Sequence, residues 1–175
     1  MSKKLYEPGF KLLVSHLNFN YDVNTILKPF EEDAYYPNLE KIYINSNNHW
    51  RDRLIALIHE SGHVLIDHNL DQVKNMKSNL TTYSENVRSK KQFVSLINEE
   101  ITAWNVGKKL AIDLNIHFDH HRLDEVSTNC IMSYVKKGLK DIYGSTIDIR
   151  YIDPKVWKII IFYVYIDHCF YIILL

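Results

Sequence analysis

Positions 58 to 65 read Ile58-His59-Glu60-Ser61-Gly62-His63-Val64-Leu65, a His-Glu-x-x-His pattern. On an α-helix, residues four apart stand about 40° apart around the axis and one turn along it. His59 and His63 can therefore aim two imidazole nitrogens at one ion. Glu60 projects to the neighbouring face, where it can take a proton from water rather than bind the ion. With 9 histidines in 175 residues, the chance expectation for this pattern is only about 0.02. Gly62 costs a helix about 1 kcal/mol against alanine, which implies close approach of another backbone or of a substrate. The competing reading is a helix with two histidines that bind nothing.

A catalytic zinc takes three protein ligands and keeps one position open. Asn98-Glu99-Glu100-Ile101-Thr102-Ala103-Trp104 offers two carboxylates among apolar neighbours. A carboxylate in such company needs a partner, and a metal ion is one. The other member of the pair is expected to face water. The metzincin extension would require glycine and histidine where this chain has Ile66 and Asn69, so that subclass is rejected. Two histidines and a carboxylate also suit Fe(II). Glu60, beside the first ligand, favours hydrolysis and zinc (Zn2+).

The elements that must position these residues follow from periodicity. Pro8 to Asn18 reads as a short amphipathic helix after a proline start. Leu39 to Asn45 alternates Ile42 and Ile44 against Lys41, Tyr43 and Asn45, the pattern of a half-buried strand. Ser46-Asn47-Asn48 supplies turn and cap residues. A strong helix runs from about His49 to Asp67, apolar around much of its circumference and hence central. Residues 69 to 92 read as a long loop. Further helices run from about Phe93 to Asn115 and from about Leu123 to Leu139, with Gly138 as a stop. The expected class is α+β, mainly helical, with a small sheet next to the His-Glu-x-x-His helix.

The composition is that of one globular domain, expected over residues 1–155. Lys plus Arg and Asp plus Glu are 21 each, so the net charge is zero. Without a basic excess, nucleic acid is not an expected partner. Cys130 and Cys169 form no framework and read as free thiols in a reducing, intracellular compartment, expected to be the cytoplasm. The charged N-terminus lacks the apolar core of a secretory signal. Residues 156–175 are strongly apolar and about as long as a membrane span, roughly 20 residues. Lys158, Asp167 and His168 interrupt them, so a segment packed on the domain is preferred to an anchor. His117-Phe118-Asp119-His120-His121 lacks helical ligand spacing and reads as a solvated turn before a helix.

His-Glu-Ser-Gly-His on a helix after a short strand, with Glu-x-x-Ala downstream, resembles the gluzincin-type zinc metallopeptidases. The ImmA/IrrE group, common in phages and mobile elements, is the closest in pattern. The resemblance covers roughly Leu39 to Leu114. It implies a zincin-like domain in which Glu100, three residues before Ala103, is the third ligand after His59 and His63, with Glu99 as runner-up. It implies Glu60 as general base, a protein or peptide substrate and regulatory proteolysis, in a virus-infected host cell where the source is a phage. Related chains place an Asp after the Ala to orient a ligand histidine. Here Trp104 stands there; Asp67, one turn past His63, is a candidate substitute, though a solvated acid at the helix end is the preferred reading of it. An oxyanion-stabilising group is implied too, with Tyr83, His117, His120, His121 and Tyr134 open. A zinc-binding module without activity is the alternative, and intact Glu60 speaks against it.

Overall fold

The structure is a computed structural model that describes residues 2–68 and 89–143. The expectations for Tyr83, Cys169, residues 156–175 and most of the 69–92 loop lie outside the described residues.

Among the described residues, four α-helices and three strands follow in the order α1 (Ser2–Tyr21), β1 (Asn24–Lys28), β2 (Ala34–Tyr36), β3 (Lys41–Asn45), α2 (Trp50–Asp67), α3 (Lys90–Asp113) and α4 (His120–Tyr143). This is the mainly helical α+β fold expected. α1 starts earlier than predicted and carries Pro8 inside it. The proline forfeits one backbone hydrogen bond. Upstream of it, Tyr6 packs on the core and stacks on His117 at 6.1 Å, which rewards continuing the helix.

β3 is the central strand. It pairs with β1 in parallel, Ile42 opposite Thr25, and with β2 antiparallel, Ile42 opposite Tyr35. Ile42 and Ile44 are fully buried while Lys41, Tyr43 and Asn45 are half-exposed, as the alternation predicts. β1 and β2 are additions to the sequence reading. Both are short, and they owe their extended state to pairing with β3.

α2 is the predicted central helix. Ser46-Asn47-Asn48 makes the turn before it but not its cap: His49 holds that position without a side-chain bond. Arg53 gathers the turn instead, donating to the carbonyls of Asn48, at 2.7 Å, and Ser46. Asp33 Oδ1 accepts from the Asn45 amide at 2.6 Å, tying the segment before β2 to the end of β3.

α3 begins three residues before the predicted Phe93, because the Ser89 hydroxyl accepts from the Gln92 amide and caps it. It ends at Asp113, with Leu114 as its C-cap, and Asn115 follows in the left-handed region at φ 54°. Asp119 caps α4 by accepting from the Arg122 amide at 2.9 Å. The His117–His121 run is thus a helix entry, but Phe118 within it is buried, which corrects the fully solvated reading. Gly138 does not stop α4. A Cβ there would lie 2.2 Å from the Phe93 ring, so the glycine lets α4 close on α3. Among the described residues, no helix is long and apolar enough to cross a membrane.

Candidate metal centre

The site lies where α2 and α3 press together. A Cβ on Gly62 would sit 1.9 Å from the Ala103 carbonyl oxygen, and one on Gly107 would sit 2.0 Å from that of Ile58. Both are impossible contacts, so the two glycines form reciprocal notches. The glycine expected to admit a backbone or a substrate admits a backbone. That contact brings the acidic pair of α3 against the histidines of α2.

Glu100 spans both rings. Its Oε2 lies 3.4 Å from His59 Nε2 and its Oε1 3.5 Å from His63 Nε2. An ion held tetrahedrally with bonds of about 2.1 Å separates its ligand atoms by about 3.4 Å. His59, His63 and Glu100 each offer one ligand atom within 4.8 Å of the others, and they form the one such group among the described residues. The His117–His121 run therefore contributes no second cluster. Glu100 Oε2 is buried without a hydrogen-bond partner, a state that an ion would relieve. The donor set and its spacing fit a metal ion; neither distinguishes zinc from other divalent metals.

Burial sets the protonation states. It pushes His59 and His63 down to about 3, aided at His63 by the neighbouring His59 ring and opposed by Glu100. Both rings are therefore neutral and able to donate lone pairs, so their approach to Glu100 is not an ion pair. Glu100 is raised by burial, against the pull of His63. Glu60 is raised to about 8, by burial first and then by the Glu100 charge. Glu60 Oε2 accepts from the Tyr35 amide of β2 at 2.7 Å, and Oε1 lies 3.9 Å from His59 Nε2. The edge strand thus holds Glu60 beside the ligand set but outside it.

A cleft of about 790 Å³ opens onto these groups. Residues 32–39 form one wall, His59, Glu60, His63 and Glu100 the floor, and Tyr134 and Lys137 of α4 the other wall. Tyr134 is raised by burial and by the Glu60 and Glu32 carboxylates. His117, His120 and His121 do not line the cleft. Cys130 is a free thiol pushed up to about 12, chiefly by burial, and so is unreactive near neutrality.

One expectation is corrected. Neither carboxylate of the pair faces water: Glu99 is 1% and Glu100 2% exposed. Asp67 is exposed at the end of α2, in line with the preferred solvated reading rather than the role of orienting a histidine. Its Oδ2 accepts from the Tyr35 hydroxyl at 3.0 Å, fastening β2 to the end of α2. Trp104, the noted departure, lays its indole on the His59 ring at 4.1 Å and 17°. Sequence reasoning missed Tyr35, because its contribution to Glu60 is a backbone amide that any residue but proline could supply. No family model, no curated protein and no solved structure matches this chain.

Proposed function

We propose that this chain is a zinc metallopeptidase that hydrolyses peptide bonds of a protein or peptide substrate. The observation that carries the reading is the spacing of two neutral histidines and one buried carboxylate at the floor of an open cleft, with a second carboxylate beside them. His59, His63 and Glu100 would hold the ion. When bound, the ion supplies Lewis acidity, acidifying water and polarising an amide carbonyl.

The remaining chemistry belongs to the chain. Glu60, beside the three ligand residues, takes the proton of the attacking water and returns it to the leaving amine. The Tyr35 amide holds its carboxylate in place for both transfers. Tyr134, across the cleft, is the candidate donor to the developing oxyanion, and it alone of the expected candidates lines the cleft among the described residues. The precise location of Glu60 favours this reading over a silent zinc-binding module, because a purely structural site needs no proton-transfer group.

The test is metal content and peptide hydrolysis of the purified full chain. About one zinc per chain is expected in the wild type and in Glu60→Ala, with loss in His63→Ala and Glu100→Ala. Hydrolysis of a mixed peptide library is expected from the wild type alone. Absence of metal after incubation with zinc would overturn the proposal. Stoichiometric zinc with no cleavage of any peptide or protein offered would instead support the silent module.

A further inference from the structure

α3 brings two buried carboxylates to the same histidine from different sides. Glu100 Oε1 is 3.5 Å from His63 Nε2, and Glu99 Oε1 is 3.9 Å from His63 Nδ1. His63 Nδ1 is buried with no hydrogen-bond partner, and the residue is 2% exposed. Consecutive helical residues diverge by about 100°, so the two carboxylates straddle the imidazole. A neutral imidazole that gives one nitrogen to a metal carries its proton on the other, and that N–H needs an acceptor.

We infer that Glu99 is the positioning residue of the site: it accepts the Nδ1 proton of His63 and so fixes the tautomer that presents Nε2 to the metal. The inference rests on the proposal that His63 is a ligand. His59 is held differently. Its Nδ1 also lacks a partner, but its ring is clamped face to face by Trp104. The two ligand histidines are thus oriented by unlike means, one by a carboxylate acceptor and one by stacking. The separation of 3.9 Å closes to a hydrogen bond with a small movement of a flexible glutamate side chain.

The experiment compares wild type, Glu99→Gln, Glu99→Asp and Glu99→Ala as full chains. Zinc affinity is measured by competition with a chromophoric chelator. The His63 tautomer is read from the ring nitrogen signals of 15N-histidine-labelled protein, assigned with His63→Ala. The expected result is a zinc affinity about 10–100-fold weaker in Glu99→Ala. Partial retention is expected in Glu99→Gln, which keeps an acceptor oxygen without the charge. The His63 Nδ1–H signal should be present in the zinc-loaded wild type and shifted or exchange-broadened in both variants. Glu99→Gln keeps size and shape, so it answers the question if Glu99→Ala does not fold. Zinc affinity and His63 signals in Glu99→Gln and Glu99→Asp identical to wild type would overturn the inference while leaving the metal site standing. A wild type that takes up no zinc would overturn both.

Discussion

At the residue scale, the site is governed by burial of groups that prefer water. A carboxyl whose pKa is higher in the folded state binds more protons there, so Glu60 lowers stability as pH rises from its ordinary 4.5 to about 8. The two histidines, depressed from 6.5 to about 3, act oppositely and raise stability as pH rises between those values. Above pH 6.5 their contribution is complete and that of Glu60 remains, with Glu100 shifted in the same direction. Metal-free protein is expected to lose on the order of 1–2 kcal/mol between pH 6.5 and 8. Urea denaturation in chelator reads this directly, and a midpoint that climbs over that window would sink the burial account. Glu60→Gln keeps an acceptor for the Tyr35 amide and removes the buried charge. It should flatten the pH dependence, retain metal and lose about 100- to 10,000-fold in peptide hydrolysis.

At the element scale, the decisive contact is the crossing of α2 and α3. His59 and His63 stand on one helix and Glu100 on the other, so the ligand set exists only while the helices touch. Gly62→Ala would drive a Cβ into the Ala103 carbonyl and force the helices apart. The expected cost is about 1–3 kcal/mol, with weaker zinc binding in the molecules that still fold. Thermal melts with and without zinc test both parts, and an unchanged melt would show that the crossing tolerates a methyl group. β2 is fastened to α2 twice through Tyr35, by its amide to Glu60 and by its hydroxyl to Asp67. Tyr35→Phe removes only the second bond and should cost about 1 kcal/mol. In a double-mutant cycle, Asp67→Ala should add little to it.

At the scale of the whole molecule, the α1, α2 and sheet core builds a frame, and α3 and α4 complete a cleft against it. Phe10, Leu13 and Leu17 of α1 and Ile42 and Ile44 of β3 join Leu54, Ile55, Leu57 and Ile58 of α2 in one buried cluster. The His59, His63 and Glu100 group lies where α2 of this frame meets α3. An ion bound across α2 and α3 would bind the folded chain and not the unfolded one. Zinc at about 100 times its Kd should therefore stabilise the fold by about 2.7 kcal/mol. Calorimetry with and without the metal measures the shift, and His63→Ala should abolish it. A shift that survives in that variant would place the binding elsewhere.

The sequence by itself determined the helix carrying His59, Glu60 and His63, the strand with inward Ile42 and Ile44, and the acidic pair of the next long helix. These features are local. Their signals are spacing along one helix or alternation along one strand, and the chain geometry that reads them is the same in any fold. Only the tertiary structure decided which carboxylate meets both rings, that the second one is buried behind His63, and that Trp104 clamps His59. It also revealed β1 and β2, which have too little periodicity of their own and are extended because β3 offers them hydrogen bonds. Asp67 is exposed, as a solvated helix-end acid should be, but its partner Tyr35 was not legible for the same reason: it is 32 residues away in sequence. Gly62 signalled a close approach, but the sequence could not say that Gly107 answers it from the other helix. Such pairings join residues far apart in the chain, and only packing brings them within reach.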